Sequence, residues 1–394
     1  MLAFVLVLLL PLASEALNKL DDALDVPDRL YPIFVRMEDQ LFRSAGDYEK
    51  FCKDNEQIVR LEVRKTVLDA LRKKSAASWK GIAGTIASME QSGAIRHVTR
   101  YWLVNGFACQ ATGKACGDLA EMDSVSFVYR QRLRNIPLHQ SPKRGRINGE
   151  RFKQVYESVI KQWKDDSNDP LELDGVTIPW NVKRVRAPEA WKQEKATGKG
   201  IVIALMDSGL MVAPSLMRGV WKNPDEKLNG KDDDGNGYID DLFGYDFGRD
   251  HWYALGDGQR KTHGSACAGI MIGRSNNKLK LATGIAPRAR VMVLRGMGYL
   301  KAYEYALVEG ADILSMSFMW PGVPLGHFRG LYRLAHEHMD AAGIVAVGGA
   351  GNFGPGAKRA AQPAGKQIAL PKDIPCVIAA AGIIQNGSKP GFSS

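Results

Sequence analysis

One short stretch constrains the fold more than any other. Six consecutive apolar residues, Ile201 to Met206, are followed by Asp207, Ser208 and Gly209. Such a run, half of it β-branched, is typical of a strand buried on both faces, as in a parallel α/β sheet. A carboxylate at the end of a buried strand is costly without a hydrogen-bonding partner, and ligands bind at this edge of α/β sheets. Alone, the pattern is more often only a strand end with a turn, so a role for Asp207 needs support from elsewhere in the chain.

Two later segments supply that support. His263 begins a run of small residues that is typical of a closely packed helix. Asn352 follows a second apolar strand that ends in Gly-Gly-Ala-Gly. An Asp, a His and an Asn in this order resemble the subtilisin-like serine peptidases (subtilases), in which the triad runs Asp, His, Ser along the chain. The resemblance covers the residues from about 180 to 394.

The resemblance implies a fold and a set of roles. The fold is α/β, a subtilisin-like three-layer domain with a mostly parallel sheet. Asp207 is expected to hold the imidazole of His263 in one tautomer, and His263 to act as the general base and acid. Asn352 is expected to donate to the oxyanion. A protein or peptide substrate is expected to pair with the chain as an added strand; the residues expected to bind it are Ser315, Ser317, Phe318, Gly349 and Ala350.

Two departures from the family pattern affect these expectations. The bulky residues 319–321 stand where the family has glycines, at the mouth of the specificity pocket. The nucleophilic serine of the family lies in a Gly-Thr-Ser segment, and residues 1–394 contain none. We therefore expect the peptidase domain to be incomplete at its C-terminal side, with the serine beyond residue 394, and these residues alone to be inactive. The alternative is a non-catalytic, calcium-dependent peptide-binding or interaction protein that retains the fold.

An acidic loop between the Asp and the His predicts a metal site. Carboxylate and amide oxygens at its first, third and fifth positions, with a Gly at the sixth, match the opening of a calcium-binding loop. The alternative is a solvated acidic turn, but carboxylates packed this tightly repel one another unless a cation is present. We expect Ca²⁺ as the cofactor; the candidate ligands are Asp232, Asp234, Asn236, Tyr238, Asp240 and Asp241.

The part of the chain before the peptidase domain has no catalytic cluster. Residues 2–13 are apolar and too few to span a bilayer, which indicates a signal peptide over residues 1–16 and a secreted protein. Residues 17–135 have the pattern of a small α+β (ferredoxin-like) domain, with a predicted helical region over residues 44–92. They resemble a subtilase prodomain, which assists folding and then inhibits the peptidase. Residues 136–179 are interpreted as a linker with the maturation site, and residues 180–394 as the peptidase domain.

Charge and cysteine content bear on nucleic-acid binding, on disulfides and on zinc sites. The formal net charge is +10, but the basic residues are scattered along the chain, which argues against nucleic-acid binding. No stable membrane span is expected. Among the five cysteines, Cys109 and Cys116 are close enough in sequence to pair across a turn, and none has the spacing of a zinc site.

Overall fold

The computed structural model describes residues 19–21, 24, 26–131, 149–163, 175–255, 263–275, 282–320, 327–355 and 368–394. It divides into two compact units: residues 1–141 with 324–343, and residues 142–323 with 344–394. The predicted signal peptide lies outside the described residues. None of the helices in the described ranges is both long enough and apolar enough to cross a bilayer.

The first unit contains a four-stranded antiparallel sheet with the strand order β2-β3-β1-β4. Its strands are β1 (Leu30–Met37), β2 (Ile95–Tyr101), β3 (Gly106–Thr112) and β4 (Val125–Arg130), and its helices include α1 (Ala45–Asp54), α2 (Arg60–Gln91) and α3 (Gly113–Ala120). The predicted helical region over residues 44–92 is thus two helices. Ser44 begins α1 in a capping box with Asp47, and the chain leaves helical geometry after Asp54. The order of elements is that of a split βαβ arrangement.

A helix from much later in the chain belongs to the first unit. This helix, α10 (His327–Ala341), places His338 where its side chain is completely buried. Burial lowers the pKa of His338 to about 4, so the imidazole is neutral at physiological pH and its Nδ1 contacts the carbonyl of Leu103. Tyr48 donates a hydrogen bond to Asp340 at the end of the same helix. Polar contacts of His338 and Asp340, as well as the burial of His338, therefore hold α10 in the first unit.

The second unit is built on a six-stranded parallel sheet with the order β10-β9-β8-β5-β7-β6. Its strands are β5 (Val202–Asp207), β6 (Gly244–Asp246), β7 (Arg290–Arg295), β8 (Ile313–Met316), β9 (Val345–Gly349) and β10 (Val377–Ala380). Its helices include α4 (Gly149–Gln162), α5 (Trp180–Arg184), α6 (Ala187–Gln193), α7 (Pro214–Met217), α8 (His263–Ile272) and α9 (Leu300–Val308). The prediction of an α/β domain with a parallel sheet is confirmed.

The central strand β5 explains why Asp207 lies at a fixed place. Ile203 and Leu205 point to one face, where they join a core cluster that includes Ile272 of α8. The side chain of Met206 points to the other face and is also buried, because side chains alternate along a strand. Burial on both faces fixes the register of β5, and Asp207 ends the strand at the carboxyl edge of the sheet.

Part of the predicted linker is core structure. Within residues 136–179, helix α4 places Tyr156 and Val159 in the core cluster of the second unit, both completely buried. The hydroxyl of Tyr156 donates to the carbonyl of Trp252. This stretch therefore differs from the predicted linker, because its apolar side chains have a helical spacing that packs on the second unit. Residues 132–148 and 164–174, which include the expected maturation region, lie outside the described residues.

Cys109 and Cys116 do not form a disulfide with each other in this structure. Cys109 and Cys116 are both completely buried in the core of the first unit. Burial raises the pKa of the Cys116 thiol to about 12. The suggestion that these two residues pair is therefore wrong for this structure, in which they serve as small apolar core residues.

Candidate active site

A buried carboxylate and an exposed imidazole are joined at the carboxyl end of β5. Nδ1 of His263 lies 2.8 Å from Oδ2 and 2.9 Å from Oδ1 of Asp207. The side chain of Asp207 is 3% exposed and that of His263 is 61% exposed. A carboxylate in this position favours the tautomer that carries its proton on Nδ1, which leaves Nε2 free to accept a proton from a ligand. The two residues predicted to act together are thus in contact.

Neighbouring groups fix this pair in place. The backbone N–H of Ser208 donates to Oδ1 of Asp207 at 2.7 Å, and the hydroxyl of Ser208 accepts from the N–H of Gly264 at 3.1 Å. The hydroxyl of Ser265 accepts from the N–H of Met211 at 2.8 Å. The Ser208 hydroxyl thus binds the first turn of α8, and the Ser265 hydroxyl, on α8 itself, binds the segment that follows β5.

The sequence reasoning missed a thiol beside the pair. Sγ of Cys267 lies 3.8 Å from Nδ1 of His263 and donates to Oγ of Ser317 at 3.5 Å. Burial, with a smaller contribution from the charge of Asp207, raises the pKa of the Cys267 thiol, which keeps it protonated and weakly nucleophilic. The spacing from His263 is four residues along a helix, a signal that places two side chains on one face.

Of the predicted substrate-binding residues near β8, Ser315 lies on the strand, and Ser317 and Phe318 follow its end. Ser315 lies inside the sheet, in register with Leu205 on one side and Val347 on the other, so its backbone already has strand partners. It cannot pair with an added peptide strand, which corrects that expectation. The ladder between β8 and β9 ends at Met316, so Ser317 is the first residue beyond it. The contact with Cys267 connects this strand end to the His263 helix.

The strand end continues into a buried aromatic pair. Phe318 and Trp320 are 6% and 7% exposed, and their ring centroids are 5.3 Å apart. The indole of Trp320 packs on Gly298, where an added Cβ would lie 2.0 Å from the ring. Trp320 is therefore part of the packed interior rather than a side chain standing at the mouth of a pocket. Pro321 lies outside the described residues.

The remaining predicted residues follow β9. Gly349 ends the strand and is exposed, whereas Ala350 is buried and donates its N–H to the carbonyl of Ala380. The side chain of Asn352 is exposed, three residues beyond the strand end. Because β9, β8 and β5 are parallel neighbours, Asn352 follows the same edge of the sheet as Asp207.

The acidic loop has the internal hydrogen bonds of a metal-binding turn. Asp232 accepts from the backbone N–H groups of Gly235, Asn236 and Gly237. Its Oδ1 accepts two of these bonds and its Oδ2 accepts the third, so the carboxylate orders the turn at the first position of the loop. Carboxylate oxygens of Asp232, Asp234 and Glu226 all lie within 4.8 Å of one another. This distance suits oxygen ligands around a single divalent cation.

Glu226 is the residue of this cluster that sequence reasoning missed. It is 3% exposed, and burial is the main reason that its pKa is raised to about 7. Burial likewise raises the pKa of Glu309 to about 7 and also raises that of Asp241. Burial is the first cause of each of these shifts, and the charges of neighbouring carboxylates add to it. A hard cation would offset the repulsion among these carboxylates.

The other predicted ligands have different partners. Oδ1 of Asp240 accepts from the backbone N–H groups of Asn229 and Gly230. Asp241 is completely buried, and its Oδ2 accepts from the hydroxyl of Tyr305 at 2.6 Å. The side-chain amide of Asn236 donates to Asp241 and to Glu309. Tyr238 donates its N–H to Oδ1 of Asn236. Oδ1 of the candidate ligand Asp240 therefore supports a turn.

Comparisons with known proteins agree with this geometry. The profile of the Subtilase family matches residues 198–394, half of the chain. Over 317 residues the chain is 22% identical to Subtilisin-like protease 1 of Plasmodium berghei (strain Anka), covering 76% of this chain and 49% of the relative. The chain thus spans about half the length of this relative.

Two solved structures share part of the chain at low similarity. The MycP3 protease from the type VII (ESX-3) secretion system is 18% identical, with a TM-score of 0.36 over 55% of this chain and 62% of that one. The prenylagaramide maturation protease PagA is 18% identical, with a TM-score of 0.35 over 52% of this chain and 62% of that one.

Proposed function

Because the chain belongs to the subtilase family, we propose that it provides the acid–base half of a serine endopeptidase that cleaves protein or peptide substrates. The observation that carries the proposal is the contact between Asp207 and His263. The buried carboxylate orients the imidazole and stabilises the imidazolium that forms when His263 removes a proton from a serine hydroxyl. His263 then returns this proton to the leaving amine. Its exposed ring leaves Nε2 accessible to a substrate.

The mechanism also needs a nucleophile and an oxyanion site. Among the described residues, no serine hydroxyl is hydrogen-bonded to Nε2 of His263. The reaction therefore depends on a serine such as that of the family's Gly-Thr-Ser segment. We assign Asn352 as the side-chain donor to the oxyanion, since its amide is exposed after β9 at the catalytic edge of the sheet. The peptide is proposed to bind beside Ser317, Phe318 and Gly349.

A fluorophosphonate probe tests the endopeptidase proposal. Joining the family's Gly-Thr-Ser helix after residue 394 should give a protein that is labelled at the added serine, and His263→Ala should abolish labelling. Asp207→Asn should lower the rate by about four orders of magnitude, because it favours the wrong tautomer. The exposed Lys199→Met serves as a remote control that should react normally. A folded, extended protein that is not labelled would favour the alternative, a non-catalytic peptide-binding protein.

We further propose that calcium binds the acidic loop. Asp232, Asp234 and Glu226 supply carboxylate oxygens that are close enough to share one ion. Asn236, the carbonyl of Tyr238 and Asp241 remain candidates to complete the shell. Bound calcium would offset the repulsion among these carboxylates, so its chemistry here is structural: it crosslinks the loop and the segment that carries Glu226.

Two further roles rest on the first part of the chain. The unit formed with residues 19–131 has the split βαβ order of a subtilase prodomain, which supports the proposal that it inhibits the peptidase. The apolar run at residues 2–13 supports the proposal that the protein is secreted.

A further inference from the structure

A buried lysine lies at the strand ends where the peptide is proposed to bind. Lys372 is 3% exposed, and its Nζ lies 4.9 Å from the centroid of the Phe318 ring. Its stem crosses Gly348, where an added Cβ would lie 2.8 Å from Cε and 3.0 Å from Cδ of the lysine. The absence of a side chain at position 348 thus makes room for Lys372 between the ends of β8 and β9.

The ammonium group has no hydrogen-bond acceptor in the part of the chain that the structure describes. The neighbouring Asp373 acts on it electrostatically, yet burial dominates and lowers the pKa of Lys372 to about 7. A buried ammonium without a hydrogen-bond acceptor is unfavourable for folding, since the interaction with an aromatic face replaces only part of the lost hydration. Buried titratable groups of this kind cluster at functional sites, where a ligand can supply the missing charge.

The position of Lys372 indicates which side chain of a bound peptide would reach its ammonium group. The contact of Cys267 with both His263 and Ser317 puts the start of this strand end beside the catalytic pair. Phe318, the next residue, carries the ring that contacts the Lys372 ammonium. A peptide lying along residues 317–318 would therefore direct a side chain near the scissile bond towards Lys372.

We propose that Lys372 selects substrates with an acidic side chain, Glu or Asp, at the residue that precedes the scissile bond. This inference rests on the proposed peptidase function and specifies its substrate class. A carboxylate entering this site forms a charge-assisted hydrogen bond with Nζ and restores the protonated form of the amine. A neutral amide of the same shape gains only an uncharged bond, and a Lys or Arg side chain is repelled.

Peptide binding to the 394-residue protein provides the test, and it requires no nucleophile. The probes are acetyl-Ala-Ala-Ala-Glu amide, the matching Gln amide, and the Gln peptide with a free C-terminal carboxylate, measured by calorimetry at slightly acidic pH. The Glu amide should bind roughly tenfold more tightly than the Gln amide, the difference expected for one charge-assisted bond. The Gln peptide with a free C-terminal carboxylate should bind no more tightly than the Gln amide. This comparison shows whether the site recognises a side-chain carboxylate or a terminal one.

Variants complete the test. Lys372→Met should reduce the Glu-to-Gln affinity ratio to about one, whereas the exposed Lys199→Met should retain the full ratio. Equal binding of the two amides by the wild-type protein would overturn the inference without any variant, and leave the peptidase proposal standing. An unchanged Glu-to-Gln affinity ratio in folded Lys372→Met would also overturn the inference. Tighter binding of the free-carboxylate Gln peptide than of the Gln amide would overturn it as well. Binding of none of the peptides would overturn the proposed peptide site together with this inference.

Discussion

Gly264 packs directly against Asp207. A Cβ added at position 264 would lie 3.2 Å from Cβ of Asp207 and 2.4 Å from the carbonyl oxygen of Gly209. Helix α8 can therefore present His263 to the carboxylate only because its second residue has no side chain. The distance between Nδ1 of His263 and Asp207 depends on this close approach.

We predict that Gly264→Ala separates the pair and destabilises the protein by about 1–3 kcal/mol, the usual cost of overpacking. Chemical denaturation would measure the stability, and the low-field proton resonance of the His263 Nδ1–H would report the contact. Gly269→Ala is the matched control in the same helix, because nothing lies within 4 Å of its added Cβ. The control should be neutral or stabilising, since Ala favours a helix over Gly by about 1 kcal/mol. Equal effects of the two changes would contradict the prediction.

Calcium should raise the melting temperature of the wild-type protein, and removal by a chelator should reverse the effect. At a calcium concentration of about 100 times the dissociation constant, the stabilisation should be about 2.7 kcal/mol. The double change Asp232→Ala/Asp234→Ala should abolish this response, and Glu226→Gln should weaken it. Asp240→Asn is the control: it loosens the turn at Asn229 but should keep the response to calcium. A wild-type response in the double variant would refute the assignment.

Lys372 should make stability increase with pH above neutrality. Its pKa is about 7 in the folded protein, and 10.5 is the ordinary value that it recovers on unfolding. Between these values the unfolded state binds more protons, so the free energy of unfolding rises with pH, by at most about 1.4 kcal/mol per pH unit. Lys372→Met should remove this rise, and Lys199→Met should not. Denaturant titrations at several pH values would measure both slopes, and identical slopes would show that the ammonium is not buried in solution.

The prodomain-like segment of the first unit, without α10, should inhibit the peptidase in trans. Residues 28–135, prepared separately and shown to be folded, are expected to block a catalytically complete form of the enzyme at micromolar concentration or below. The measurement is the steady-state rate on a fluorogenic peptide as the isolated segment is added. Absence of inhibition by the folded segment would remove its proposed role as an inhibitor.

The parts of this structure that the sequence predicted are those in which one physical constraint dominates. Burial on both faces leaves a strand such as β5 little choice of composition, so the position of Asp207 could be inferred from its neighbours. His263 was identified because the order of Asp207, His263 and Asn352 along the chain resembles that of the subtilases. The capped start of α1 at Ser44 is likewise a local signal, but the end of that helix after Asp54 is not.

Other features depend on contacts between distant segments. Glu226 follows Asp225 in a polar stretch that lies before the acidic loop, and only folding brings its carboxylate to Asp232. Lys372 follows a proline in a segment that reads as an exposed turn, and its burial results from the packing of Phe318 and Gly348. Tyr156 and Val159 lie within residues 136–179, which were interpreted as a linker because a tail and linker follow the prodomain in the family that the chain resembles. No local pattern distinguishes such residues, since the determining partner lies elsewhere in the chain.

Helix α10 is held in the first unit by non-covalent contacts that a cut in the preceding chain would leave intact. The hydrogen bond from Tyr48 to Asp340, the one from Arg64 to the carbonyl of Ala342 and the burial of His338 join residues 19–131 to α10 without a covalent link. A cut between residues 131 and 149 would break none of them. The N-terminal piece would then leave the piece that carries α10 only by dissociation. The dissociation rate, and not the rate of cleavage, would set the lifetime of the cleaved complex.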